Sequence, residues 1–217
     1  MASAKEIIAK RAARELKDGD IVNLGIGLPT LLGNYLEADV EITLQAEDGI
    51  LGMGSMCEPG QEDKDIINAG NQYVNIEPGA CFFDSATSFG IIRGGHVDAT
   101  VLGALEVDES GTLASHIIPG KMVPGMGGAM DLVVGAKKVI VVTTHTAKGA
   151  PKILKKVRLP ITAVGRVNLI ITELAVIEVT PQGLLLREVA SGVTPEDVQR
   201  ATEPTLQFAS DLQTIAV

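Results

Sequence analysis

Apolar and polar positions alternate through Ile42-Thr43-Leu44-Gln45-Ala46, and the alternation ends at an acidic pair, Glu47-Asp48, followed by Gly49. A period of two predicts a short strand, and Asp48-Gly49 predicts a turn. Glycines at 49, 52 and 54 predict a flexible run beyond the turn. A carboxylate, Glu47, is thereby offered at the carboxyl end of a strand, the end at which open α/β sheets hold their ligands. An acid beside an Asp-Gly turn more often only solvates it, so the rest of the chain has to decide between the two readings.

A helical period runs over residues 4–16 through Ile7, Ile8, Arg11 and Ala12, and Lys17-Asp18-Gly19-Asp20 stops it. The apolar run 21–24 predicts a buried strand. It passes into Gly25-Ile26-Gly27-Leu28-Pro29-Thr30 and a helix over 29–35, with Pro29 at an early helical position. Strand, glycine turn and helix start leave backbone N–H groups for an anion, unless Gly25 and Gly27 merely let helix and strand pack closely. Residues 55–72 read as loop with at most a short helix, and 73–76 as a strand closed by Glu77-Pro78-Gly79-Ala80. Asp84-Ser85 caps a helix that ends at Gly94-Gly95.

Near-continuous apolar runs at 97–105 and 139–142 predict strands buried on both faces. Residues 112–118 read as a short strand, 119–131 as an irregular loop dense in Gly and Pro, 131–135 as the start of the next element, and 143–151 as a polar loop. Residues 170–179 and 184–188 predict a hairpin across Pro181-Gln182-Gly183. Thr194-Pro195-Glu196-Asp197 opens a final helix. No repeat or linker divides the chain, so 1–217 reads as one α/β domain.

Composition narrows the function. The chain has 217 residues, a formal net charge of -9, 46% hydrophobic content and no Trp, which suits one sizeable α/β core. An acidic chain with few aromatics argues against nucleic acid as a partner. No apolar run reaches the roughly 20 residues of a membrane helix, and the N-terminus lacks a signal-peptide layout. Cys57 and Cys81 have no metal or redox spacing; a cytoplasmic location is expected.

The motifs exclude several chemistries. Gly25-x-Gly27 lacks the third glycine of a dinucleotide fingerprint, where Thr30 stands. No Gly-x-Ser-x-Gly is present. His96, His116 and His145 show no metal-ligand spacing, so no metal site is expected. His96 reads as a helix-end or packing residue, His116 lies in an apolar strand and His145 in a polar loop. The Lys148 to Arg158 cluster reads as a solvated face balancing an acidic chain, ahead of the other reading, a contact for the phosphates of a nucleotide-like ligand. Two glycine-rich loops and a carboxylate, all near strand ends, suggest acyl transfer: a carboxylate can act as a covalent nucleophile, and a loop such as Gly125-Met126-Gly127-Gly128, unless it is a plain turn cluster, can aim N–H groups at a developing oxyanion, each worth about 2.7–4 kcal/mol.

Independent stretches agree with this. Val22-Asn23-Leu24-Gly25-Ile26-Gly27-Leu28-Pro29-Thr30, the Glu47 segment, Ile67-Asn68-Ala69-Gly70, Phe83-Asp84-Ser85, Arg93-Gly94-Gly95-His96-Val97-Asp98, Ile118-Pro119-Gly120-Lys121-Met122 and Gly125-Met126-Gly127-Gly128-Ala129-Met130-Asp131-Leu132 resemble the B (β) subunit of the family I 3-oxoacid CoA-transferases. The resemblance covers nearly the whole chain. It implies an open, mostly parallel sheet with flanking helices, as in ribose-5-phosphate isomerase and glucosamine-6-phosphate deaminase.

It further implies that Glu47 is the nucleophile, that Gly127 and Gly128 belong to the oxyanion loop, with Gly128 as N–H donor, and that Gly25, Gly27, Asn68 and Lys121 contact coenzyme A. Coenzyme A would be a substrate, with no permanently bound cofactor. The partner would be a separate A subunit in an α2β2 or α4β4 hetero-oligomer, the substrates an acyl-CoA and a short-chain carboxylate, and the kinetics ping-pong. Hydrolysis by water at the same site, or a non-catalytic role in CoA binding or assembly, are the alternatives. The family's Ser and Asn around the glutamate are Ala46 and Asp48 here, and its Asn-Trp before Ile-Pro-Gly-Lys is Ser115-His116.

Overall fold

The computed structural model describes residues 3–121 and 125–216. Met122, Val123 and Pro124 of the expected glycine- and proline-rich loop lie outside the described residues. In chain order the first elements are α1 (Ala4–Ala13), β1 (Ile21–Leu24), a 3-10 helix (Leu28–Tyr35), β2 (Thr43–Ala46), β3 (Ile50–Met56) and β4 (Val74–Phe82). There follow α2 (Ser85–Arg93), β5 (Ala99–Gly103), β6 (Glu106–Asp108), β7 (Leu113–Ala114), α3 (Ala129–Gly135) and β8 (Lys138–Val142). The last part holds β9 (Thr146–Ala147), β10 (Ala150–Pro151), β11 (Ile153–Leu154), β12 (Leu169–Ile171), β13 (Ala175–Thr180), β14 (Gly183–Val189), α4 (Pro195–Ala201) and β15 (Leu206–Thr214).

Ten strands form one sheet in the order β15-β14-β13-β12-β8-β5-β1-β2-β3-β4. Its centre, from β12 to β2, is parallel, and antiparallel pairs flank it on both sides. From β1 the chain moves outward to β2, then returns to β5 on the other side and continues to β8 and β12. The strand order therefore reverses between β1 and β5, and ligands of such sheets lie at the carboxyl ends beside that reversal.

The central strands are apolar on both faces because both are covered. Ile140 and Val142 of β8 and Leu169 and Ile171 of β12 pack with Ile8, Ala9 and Ala12 of α1 and Leu32 of the 3-10 helix. Val139 and Val141, one residue out of step, enter the opposite cluster with Leu102, Val133 of α3 and Val198 of α4. This alternation is what separates a strand buried on both sides from a helix. An ionic network ties α1 to the sheet. Arg11 donates to Glu188 of β14 (2.7 and 2.6 Å) and pairs with Glu15 (2.7 Å), which also meets Lys138. Burial pushes the Glu15 carboxyl up, but hydrogen bonds from Lys138 and Arg11 outweigh it and hold the group below its usual range.

Local signals that need no distant partner hold. α1 has Ser3 as cap with Glu6 completing the box, Asp84 accepts from the Thr87 N–H at the start of α2, and Thr194 and Asp197 close a box on α4. Several expectations are corrected. The run beyond the turn is regular: after Gly49, residues 50–54 are the start of β3, paired with both β2 and β4. β4 resumes its pairing after Glu77-Pro78-Gly79-Ala80, which bulge out of register opposite Gly52 between the Met53–Ile76 and Leu51–Cys81 pairs, with Pro78 on the outermost strand, where a missing N–H is tolerated. Residues 57–73 contain no helix.

The segment 28–35 is a 3-10 helix, its first turn tightened by Thr30, whose N–H and hydroxyl both reach Gly27 O. Residues 170–179 are two strands, folded back at Thr172-Glu173-Leu174, where the Thr172 hydroxyl accepts from the Leu174 and Ala175 N–H groups. The polar loop 143–151 carries the hairpin of β9 and β10. β15, parallel to β14, follows the last helix.

His145 is fully buried between Thr172 and Thr202, each 2.9 Å from one ring nitrogen. Because the Thr202 hydroxyl donates to Val198 O, it accepts from Nε2–H, and Nδ1 faces the Thr172 hydroxyl, whose proton also lies within reach of Ala175 O (3.2 Å), so both nitrogens of the neutral ring have a partner. Burial lowers the His145 pKa from 6.5 to about 4. The unfolded chain thus binds the extra proton between those values. The contribution is complete above pH 6.5 and is lost as pH falls towards 4. Denaturant melts at pH 7 and pH 4 should show the parent losing about 3 kcal/mol more than a His145→Gln variant, which shares every other titration. Parallel losses in the two proteins would refute this.

Candidate active site

Glu47 follows the last residue of β2 and is the second residue of a turn closed by the Gly49 N–H donating to Ala46 O (3.1 Å). Gly49 has φ +127°, a conformation side chains rarely adopt, and a Cβ there would lie 2.1 Å from Phe83 O. The Phe83 N–H returns to Gly49 O at 3.0 Å. Glycine at this position lets β2 turn within van der Waals range of the strand leading to α2.

Across 81 residues of sequence, the N–H of Gly128 donates to Glu47 Oε1 at 3.3 Å. Gly128 is the residue from which α3 starts, so the donor is one of the N–H groups a helix start leaves without an internal partner. Close approach explains the glycine pair. A Cβ on Gly127, which has φ +55°, would sit 3.2 Å from Glu47 Oε1, and one on Gly128 3.1 Å from Glu47 Cγ and 3.4 Å from Phe89 Cζ. The structure therefore brings together Glu47, Gly127 and Gly128.

α2 and α3 hold the two sides of this contact. Arg93 Nε meets Asp131 Oδ1 at 2.7 Å. Gly135 lets the helices touch, since a Cβ there would fall 2.1 Å from Ile92 O. Asp48, the next residue of the turn, is exposed while Glu47 is half-buried. The Asp48 carboxyl is held above the usual carboxylate range, first by the crowding of the turn around it and then by the charge of Glu47; a hydrogen bond from its own N–H opposes both.

Beneath the turn lies a buried polar group. Gln45 and Asn23 are 1% and 2% exposed, and Ser88 of α2 is fully buried. Asn23 Nδ2 donates to Gln45 O (2.9 Å) and Oε1 (2.8 Å), and Gln45 Nε2 donates to Ala46 O (3.1 Å) and Ser88 Oγ (3.0 Å). Sequence reasoning missed these three. An alternating strand reads Gln45 as solvent-facing, and the signal that would have corrected it is the covering helix α2, which period-two patterning cannot see.

The remaining candidates are placed as follows. The Gly25 N–H is spent on Val101 O (2.8 Å), and a Cβ there would lie 3.1 Å from Leu102 Cδ2 and Val101 O, which favours the packing role for this glycine. Gly27, with φ +88°, is exposed and open, beside exposed Ile26. Asn68 is buried, and its Oδ1 accepts from the Gly70 and Gln72 N–H groups (2.9 and 3.0 Å). The turn it holds packs on Ile26, 3.3 Å from the Cβ position of Gly70. Asn68 and Gly27 thus frame one rim at the carboxyl end of β1. Lys121 is exposed, and its N–H closes a turn on Ile118 O (3.1 Å); among the described residues no hydrogen bond links its side chain to Glu47.

His116 is buried, with Nδ1 3.0 Å from Thr162 Oγ1, a hydroxyl it shares with Ser115. Among the described residues no cluster of three or more His, Cys, Asp or Glu is arranged to hold a metal ion, and no helix is long and apolar enough to cross a membrane.

Comparison with known proteins adds to this geometry. The family model described as coenzyme A transferase matches residues 5–201. The chain is 51% identical over 212 residues to the β subunit of the acetate CoA-transferase of Escherichia coli K12, covering 97% of each chain. It is 50% identical over 200 residues to the B-type subunit of the succinyl-CoA:3-ketoacid coenzyme A transferase of Helicobacter pylori 26695, covering 92% of this chain and 96% of the relative. The acyl-CoA transferase YdiF of Escherichia coli O157:H7 superposes with a TM-score of 0.77 at 24% identity, over 99% of this chain and 43% of that longer one, which shows a shared fold. With a family match over most of its length and relatives at half identity from end to end, the chain belongs to the coenzyme A transferase family.

Proposed function

We propose that this chain is the B-type subunit of a CoA-transferase that moves coenzyme A between a short-chain acyl- or 3-oxoacyl-CoA and a free carboxylic acid, with Glu47 as the covalent nucleophile. The observation that carries the reading is the convergence of Glu47 with the Gly128 N–H at the carboxyl end of a parallel strand. In the first step a Glu47 carboxylate oxygen attacks the thioester carbon, the C–S bond breaks, and coenzyme A leaves as the thiolate. The resulting mixed anhydride is attacked at the Glu47 carbonyl carbon by that thiolate, which expels the donor acid as a carboxylate and leaves a glutamyl-CoA thioester. An acceptor carboxylate then runs the two steps in reverse.

Gly128 supplies an N–H to each oxyanion, with Gly127 allowing the approach; one such donor is worth about 2.7–4 kcal/mol in the transition state. The open rim at Gly27 and Asn68, with Lys121, is the proposed path of the coenzyme, and Gly25 packs beneath it. The proposed assembly is a cytoplasmic hetero-oligomer with a separate A subunit, α2β2 or α4β4, supported by relatives that are themselves named as β-type or B-type subunits. Their names differ in the acid they act on, so the acceptor is proposed only as a short-chain carboxylate.

The test is direct. Incubating the assembled enzyme with acetoacetyl-CoA and no acceptor acid should add the mass of coenzyme A to the peptide containing Glu47. Label on any other residue would refute the reading, and release of free coenzyme A without added carboxylate would make the protein a thioesterase.

A further inference from the structure

We infer that Gln45, clamped by Asn23 and Ser88, is a positioning residue that sets the direction from which Glu47 meets its substrate. The inference rests on the reading of Glu47 as nucleophile and extends it to residues that never touch the reacting atoms. Three observations carry it. The first is where the Gln45 amide is aimed. Its Nε2 donates to Ala46 O, the carbonyl of the peptide that links Ala46 to Glu47, and the same oxygen accepts the Gly49 N–H that closes the turn. Two donors on one carbonyl fix the plane of that peptide, and with it the direction in which the Glu47 side chain leaves the backbone.

The second observation is the anchoring. Gln45 Oε1 is taken by Asn23 of β1, and Nε2 also reaches Ser88 of α2. The next residue of α2, Phe89, lies against the Gly128 position, and Arg93 one turn on holds Asp131 of α3. One helix therefore gauges both the turn bearing Glu47 and the loop bearing the Gly128 donor.

The third is cost. All three polar side chains are almost wholly buried, where apolar residues of similar size would pack without the desolvation penalty that amides and hydroxyls incur. A satisfied buried network specifies one geometry among several of similar packing energy.

Displacement of a reacting group by about 1 Å can cost about 100-fold in rate without weakening binding. The experiment uses the enzyme assembled with its companion chain and compares the parent with Gln45→Leu and Ser88→Ala. For Gln45→Leu, kcat and the rate of CoA adduct formation at Glu47 should fall about 100-fold while KM for the acyl-CoA stays within about twofold. For Ser88→Ala, which removes one acceptor, the fall should be about tenfold.

Melting temperatures and activity per folded molecule accompany both measurements. A folded Gln45→Leu enzyme that labels Glu47 at the parent rate overturns the inference, as does a rise in KM with kcat unchanged. Should Gln45→Leu fail to fold, Ser88→Ala decides by the same criteria. A parent enzyme that forms no adduct removes the function proposed above and this inference with it, whereas a labelled parent with unaffected variants removes this inference alone.

Discussion

Glu47→Gln is expected to lower coenzyme A exchange by at least about four orders of magnitude in kcat, with no adduct formed, because the loss of a covalent nucleophile is not made good by neighbouring groups. The change keeps size and shape, and the amide oxygen can still accept the Gly128 N–H that lies 3.3 Å from Glu47 Oε1. The melting temperature should therefore move by no more than about 2 °C. Asp48 does not substitute: it is the following residue of the turn, exposed to solvent, whereas Gly128 faces Glu47. A second readout accompanies the kinetics. The Asp48 carboxyl is raised first by crowding and then by the Glu47 charge, so in the variant its titration, followed by carboxyl NMR, should move down but stay above the ordinary aspartate value. Exchange at the parent rate in a Glu47→Gln enzyme would remove the glutamyl mechanism.

How far the sequence could be read follows from how local each signal is. The turn at Asp48-Gly49, the Asp84 cap of α2 and the Thr194 cap of α4 depend on a few consecutive residues, and they stand where their residue types place them. The doubly buried strand β8 was legible because a run of Val and Ile has no polar face to expose. Glu47 was legible as a carboxylate at a strand end, but its contact with Gly128 spans 81 residues, and no periodicity reports that.

Most of the errors share one cause. Glycines at 52 and 54 suggest looseness, yet they lie in β3, where Gly52 gives Ala80 of β4 room to approach. The run 170–179 has no Gly or Pro, so its fold-back at Thr172 rests on a side-chain hydroxyl substituting for turn residues. β15 exists because β14 offers an edge, and Gln45 is buried because α2 covers it. All but the Thr172 fold-back are decided by a partner far away in sequence.

Gly49→Ala should be the most damaging single-methyl change near the site. Its added carbon would lie 2.1 Å from Phe83 O, a backbone atom that cannot rotate away, and φ +127° adds strain of its own. Overpacking and an unfavourable backbone conformation each cost about 1–3 kcal/mol, so a loss of about 4 kcal/mol and a fall of about 8–16 °C in melting temperature are expected. Gly79→Ala is the control: it has φ +88° but no atom within 4 Å of the new carbon, so it carries the conformational cost without the clash. Relief of the clash requires β2 and the Phe83 segment to part, which carries the Glu47 turn away from Gly128. Folded Gly49→Ala enzyme should accordingly label Glu47 at least about 100-fold more slowly than the parent, while Gly79→Ala labels at the parent rate. Equal melting temperatures for the two variants would mean that contact with Phe83 is not what fixes the turn, and the account of how Glu47 reaches the Gly128 donor would have to be rebuilt.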